Sequence, residues 1–201
     1  MNASRIYFGI ALIAALGKSS AAGLHLNIER ADADSFKLVW PSSAATFYVV
    51  RWTPDFRGAW KYLDGAFEGT GGTNSVPVTP AEQAQFFQLV SYPSAVALTA
   101  TDDGKQITLP AGSLLKISLA ANPSTGFAWQ KIGGDESVLV PIGNSVYQGS
   151  GGGIGSGGTS TFWFAPGANG TTTLQLVYRQ AFVPNVPPAQ TFSVTVTVSG
   201  G

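Results

Sequence analysis

The chain has 201 residues, no cysteine and one histidine, and only 11% of it is charged, with 11 basic residues against 11 acidic ones. Nucleic-acid binding lacks an electrostatic basis, because neutralising phosphates takes clustered Lys and Arg and none are clustered here; a Cys-His nucleophile and a His/Cys zinc site are equally out of reach. The 25 glycines and 12 prolines, with Val, Thr and aromatic residues between them, favour strands and turns and predict an all-β chain.

At the N-terminus Arg5 precedes an apolar run from Ile6 to Leu16, followed by small residues ending in Ser20-Ala21-Ala22. That pattern reads as a signal peptide over residues 1–22, cleaved after Ala22, and its apolar run is short for a bilayer span. The mature chain is therefore expected to be exported, periplasmic or secreted, with no membrane attachment once the signal is removed. Losing Arg5 and Lys18 leaves 9 basic residues against 11 acidic ones, a net charge of about −2.

Residues 23–93 show period-two spacing at Leu24, Leu26 and Ile28, at Phe36, Leu38 and Trp40, at Phe47 and Val49, and at Val76 and Val78. With Phe86, Phe87 and Leu89 closing the series, a small β-sandwich module is predicted. Trp52, Trp60 and Tyr62 suit half-buried strand positions, with a sugar-stacking platform as the functional alternative. Pro80-Ala-Glu-Gln-Ala84 has the makings of a single helical turn. Tyr92-Pro93-Ser94 interrupts the pattern and marks the boundary.

Residues 94–201 form the second predicted sandwich, of six or seven strands. After the pattern restarts at Val96 and Leu98, its apolar runs are Ile107 and Leu109; Leu115, Ile117 and Leu119; Phe127 and Trp129; Val138 to Val140; Phe162 to Phe164; Leu174, Leu176 and Tyr178; and Phe192, Val194, Val196 and Val198. Enzymatic chemistry finds little support in it. His25 lies far upstream in a strand pattern, with no nucleophile-elbow motif to recruit it. The doublets Asp102-Asp103 and Asp135-Glu136 read as turn chemistry, since strand neighbours point to opposite faces. The glycine run from Gly151 to Gly158 lacks the lysine that follows a phosphate-binding loop.

Three nearly uncharged, loop-like segments stand out between strand patterns: Asn122-Pro-Ser-Thr-Gly-Phe-Ala-Trp129, Gly153-Ile-Gly-Ser-Gly-Gly-Thr159 and Tyr178-Arg-Gln-Ala-Phe-Val-Pro184. Their order and flanks resemble the chagasin family of inhibitors of papain-like cysteine proteases, over approximately residues 96 to 199. The family pattern N-P-[ST]-T-G-[FY]-x-W is matched from Asn122 to Trp129, and G-x-G-G-T by Gly155-Ser-Gly-Gly-Thr159. In the third family stretch, Y-x-R-P-W, Tyr178 and Phe182 fit, while Gln180 and Ala181 replace arginine and proline. Arg179 stands one place early, which on a strand turns it to the opposite face.

The resemblance implies an immunoglobulin-like sandwich with the three loops at one end, occluding a protease cleft without enzymatic turnover or cofactor. It implies contacts from Asn122, Pro123, Ser124, Thr125, Gly126 and Phe127, from Gly155, Ser156, Gly157, Gly158 and Thr159, and from Gln180 and Phe182. Ser124 and Thr125 would sit nearest the enzyme's catalytic cysteine and histidine. The partner is thus a papain-like cysteine protease, and the inhibitor is expected to be monomeric. The competing reading is an exported adhesion module that binds carbohydrate or protein.

Overall fold

Side chains that alternate between apolar and polar with a period of two leave one face of a strand to be buried, and the described residues form sixteen strands, the longer ones mostly on this pattern. The structure, a computed structural model, describes residues 24–32, 35–79, 85–153, 155–180 and 186–200. The only helical segments among them are single 3₁₀ turns at Ala100–Asp102 and Pro123–Thr125. The chain divides into two compact units between Pro93 and Ser94.

In the first unit, β1 (Asn27–Arg30), β2 (Phe36–Pro41) and β6 (Thr73–Val78) form one antiparallel sheet. In the other sheet β3 (Phe47–Thr53) pairs along its length with β7 (Phe86–Tyr92), and over shorter stretches with β4 (Lys61–Tyr62) and β5 (Phe67–Glu68). Leu38 and Trp40 from the first sheet meet Tyr48, Val50, Phe87 and Leu89 from the second. Register separates two of the three aromatics considered for a sugar-stacking platform. Trp52 lies opposite Lys61 and packs against this core, whereas Tyr62 lies opposite Arg51 on the other face. There Trp60 and Tyr62 flank the Arg51 guanidinium at 5.7 and 5.9 Å. All three aromatics are half-buried, and they do not share one face. His25 is exposed just ahead of β1, and Pro80–Ala84 lies outside the described residues.

The second unit is a β-sandwich. One sheet runs β12 (Leu139–Pro141), β14 (Gly158–Pro166), β10 (Ser113–Ala121), β8 (Ser94–Thr99), with β13 (Val146–Gly149) also paired to β14. The other runs β11 (Phe127–Gly133), β15 (Gly170–Gln180), β16 (Gln190–Ser199), β9 (Gln106–Pro110). All pairings are antiparallel except β8 with β10 and β9 with β16. Leu115, Ile117, Leu119 and Phe164 from the first sheet interdigitate with Leu174, Leu176, Phe192, Val194 and Val196 from the second. Each is essentially removed from water, which stabilises the fold by about 1.5–3 kcal/mol per side chain of this size. On the solvent face the threonines pair across strands, Thr171 with Thr197 at 2.9 Å and Thr173 with Thr195 at 3.1 Å.

The acidic doublets fasten turns. Asp102 accepts the Thr99 amide at 2.7 Å and the Lys105 ammonium at 2.8 Å, and Asp103 accepts the Ser193 amide at 2.7 Å. Asp135 accepts the hydroxyl and the amide of Ser137 at 2.7 and 2.8 Å, while Glu136 pairs with Lys131. The Lys105 bond, reinforced by the Thr99 amide, holds the Asp102 carboxyl below its ordinary range, and the Ser137 bonds do the same for Asp135. A depressed carboxylate contributes stability that is present above its unfolded pKa and lost as pH falls through the folded one. Thermal stability is therefore expected to decline on acidification below the ordinary carboxylate value of 3.8. Asp135→Asn, which keeps an acceptor but cannot titrate, removes part of that decline in melting curves recorded against pH.

Candidate functional site

Strand pairing gathers the three connections of interest. Ala121 at the end of β10 pairs with Gly158 at the start of β14, and Gly158 also pairs with Gly149 at the end of β13. Phe127 at the start of β11 pairs with Gln180 at the end of β15. The β10–β11, β13–β14 and β15–β16 connections thus emerge from one end of the sandwich. Ala181 to Asn185, including Phe182, and Ile154 lie outside the described residues.

The central connection is a tight, internally bonded turn. Asn122 precedes the turn at a φ of −139° and a ψ of 87°, Pro123 opens the 3₁₀ turn, and Gly126 closes it at a φ of 78°. That left-handed conformation, natural to glycine, lets the chain reverse into β11. The Thr125 amide donates to the Asn122 carbonyl at 3.2 Å and the Gly126 amide to the Pro123 carbonyl at 2.9 Å. The tip hydroxyls turn inward: Ser124 donates to Asn122 Oδ1 at 2.6 Å and Thr125 to the Asn122 carbonyl at 2.6 Å. Pro123, Ser124 and Thr125 nonetheless remain exposed.

Asn122 also ties this loop to its neighbours. Its side-chain amide donates to the Gly155 carbonyl at 2.8 Å, and its backbone amide donates to the Tyr178 hydroxyl at 2.7 Å. Below the loop the Tyr178 ring packs against both Phe127 and Trp129, at centroid distances of 5.4 and 5.2 Å. The Trp129 indole donates to the Ala120 carbonyl at 2.8 Å. This aromatic row, rooted in the core, seats the loop rigidly without charge.

The glycine-rich connection is closed by the Ser150 amide donating to the Gly157 carbonyl at 3.0 Å. Between it and the central loop runs an open groove of about 470 Å³, with Tyr147 on its wall. No residue from Asn122 to Gly126 or from Ser150 to Gly157 carries an ionisable side chain. Among the described residues, no group of three or more His, Asp or Glu is placed to hold a metal ion. The arrangement offers a neutral, preformed wedge of backbone and small side chains.

A family model, "Chagasin family peptidase inhibitor I42", matches residues 108–196. Chagasin of Trypanosoma cruzi is 30% identical over 102 residues, which span 48% of this chain and 92% of chagasin. The chain belongs to the chagasin family. Among solved structures, a cysteine protease inhibitor from Entamoeba histolytica aligns at 23% identity over 53% of this chain and 96% of its own, with a TM-score of 0.48. PbICP-C, solved in complex with falcipain-2, aligns at 19% identity over 53% of this chain and 99% of its own, with a TM-score of 0.37.

The chagasin-family match falls within the second unit, where the residues singled out in the sequence sit as follows. Asn122 to Gly126 and Gly155 to Thr159 are brought side by side, joined by the Asn122–Gly155 bond. Gln180 reaches the same cluster, its side-chain amide donating to the Thr125 carbonyl at 3.1 Å. Phe127 is half-buried against the core and Tyr178, so within the unit it anchors the loop. Arg179 points away, bonded through Nε to Gln130 Oε1 at 2.8 Å on the outer face. Tyr147 escaped the sequence reading. A Val-Tyr pair beside glycines was its only signal, because β13 is exposed at all four positions and has no alternation to detect.

Proposed function

We propose that the loop end of the second unit occludes the catalytic cleft of papain-like cysteine proteases, reversibly and without turnover. The observation that carries this reading is the central turn, exposed at its tip yet rigid through the hydrogen bonds that converge on Asn122. A slot that excludes water penalises unpaired charge by several kcal/mol, and this tip brings none. Ser124 and Thr125 would enter the cleft near the enzyme's cysteine and histidine. The glycine-rich loop, with Gly155, Ser156 and Gly157, would lie along one wall and offer backbone groups for strand-like pairing. Phe182 would supply an aromatic anchor on the other wall. Three such loops can reach about 800 Å² per partner, and a rigid scaffold lowers the ordering cost of docking.

In the same reading the first unit is a spacer or partner-binding module, residues 1–22 direct export to the periplasm or the exterior, and the inhibitor works as a monomer. The test is residual activity of papain and of a cathepsin L-like protease titrated with the chain from Gly23 onward. Tight inhibition that reverses on dilution is expected for at least one of them. Full activity of both enzymes at micromolar inhibitor would refute the proposal.

A further inference from the structure

The third loop of this chain departs from its family at Gln180, and the structure gives that residue a definite contact. On β15 the inward row runs Leu176, Tyr178, Gln180, opposite Lys131, Trp129 and Phe127 of β11. Leu176 and Tyr178 are buried, and Gln180, the last residue of the strand, is half-buried where the core gives way to the loops. From there its side-chain amide reaches past Phe127 to the Thr125 carbonyl at 3.1 Å. That carbonyl belongs to the last residue of the 3₁₀ turn, directly before the left-handed Gly126.

We infer that Gln180 is a positioning residue: it latches the central loop to β15 in the unbound inhibitor and holds the turn in the form that enters the protease. The inference rests on the protease reading for its effect on inhibition, but not for the latch itself. Among the described residues, three hydrogen bonds tie the loop to its surroundings. Asn122 bonds Tyr178 at its start and Gly155 at its flank, and Gln180 bonds Thr125 at its close. Of these three bonds, the last is the one that holds the descending side of the turn, beside the left-handed Gly126. A neutral amide does this without putting a charge beside the cleft, whereas Arg179, one residue earlier, is spent on Gln130 across the outer face.

A latch acts by raising the fraction of inhibitor already in the binding form. Its loss lowers the association rate, while a lost direct contact with the enzyme raises the dissociation rate. The test compares wild type, Gln180→Leu and Gln180→Arg by two measurements: amide hydrogen exchange of Thr125 and Gly126 in the unbound protein, and association and dissociation rates with papain. One hydrogen bond of ordinary strength corresponds to roughly two- to tenfold faster exchange in Gln180→Leu, with the association rate falling by a similar factor and dissociation little changed. Gln180→Arg, which keeps a donor, should exchange like wild type.

Unchanged exchange in Gln180→Leu overturns the latch, whatever happens to binding, and a rise confined to the dissociation rate makes Gln180 a direct protease contact instead. Gln180→Arg exchanging as fast as Gln180→Leu also overturns it, because a donor at that position would not be what protects the turn. If the wild type fails to inhibit papain, the protease reading suffers and the exchange comparison still decides the latch. Melting temperatures of the three proteins establish that each is folded.

Discussion

Thr125→Asp is expected to weaken inhibition of a papain-like protease by about a thousandfold while leaving the fold intact. Thr125 is exposed in the unbound unit, and what the substitution removes there is one side-chain bond, from its hydroxyl to the Asn122 carbonyl at 2.6 Å. The backbone bond from the same residue to the same carbonyl, at 3.2 Å, survives. The loss is therefore about 1 kcal/mol, a fall of about 4–8 °C in melting temperature for a unit of this size. In the complex the carboxylate would have to shed its water inside the cleft with no partner supplied by the inhibitor. At about 4 kcal/mol that amounts to roughly three decades in the inhibition constant. Thr125→Ser, which keeps the hydroxyl, should stay within about tenfold of wild type. Inhibition constants and melting curves measured on the same preparations decide the matter. If Thr125→Asp inhibits as well as wild type, the tip does not enter the cleft.

The strands that build the second unit were legible because their inner faces are continuous. Phe192 to Val198 alternates strictly, Leu174, Leu176 and Tyr178 do so but for the buried Val177, and β15 and β16 contain these runs entire. The pairings β8–β10 and β9–β16 were not legible, since parallel and antiparallel neighbours leave the same period-two pattern on a single strand. Nor were β4 and β5, which at two residues each are too short to show a period. The boundary at Pro93 was legible, and the two units do divide between Pro93 and Ser94. The interruption at Tyr92-Pro93-Ser94 reduces to Pro93 alone, with β7 running to Tyr92 and β8 starting at Ser94.

At the site, residue types pointed to the loops but could not reveal their wiring. The family resemblance placed Ser124 and Thr125 nearest the enzyme's catalytic residues; the structure turns both hydroxyls back onto Asn122, so that the asparagine becomes the hub and the tip offers methyl, methylene and backbone groups. Pro123 supplies the start of the turn and Gly126 its reversal, as local rules predict. The Asn122–Gly155 and Gln180–Thr125 bonds span 33 and 55 positions, and no local pattern carries them.

Gly158→Ala should damage inhibition from inside the unit, by displacing a strand. Gly158 lies where three strands converge, paired with Ala121 of β10 on one side and Gly149 of β13 on the other. A Cβ there would stand 2.2 Å from the Gln148 carbonyl oxygen and 2.8 Å from the Gly149 Cα, and both are backbone atoms that no rotamer change can move. The methyl group must push β13 off β14. Because β13 is exposed throughout, that movement leaves the Leu, Phe and Val core in place, and the expected destabilisation is about 1–3 kcal/mol rather than loss of the fold. The glycine-rich loop hangs from this pairing, so it is carried away from Asn122 and the 2.8 Å bond to Gly155 breaks. A displaced wall and a loosened central loop together should weaken inhibition by on the order of a hundredfold, since misplacement by about an ångström is enough to forfeit well-aligned contacts. Chemical shifts in the two loops should change while those of β15 and β16 hold still. Wild-type inhibition by Gly158→Ala, with a wild-type melting temperature, would show that β13 and its loop lie outside the contact.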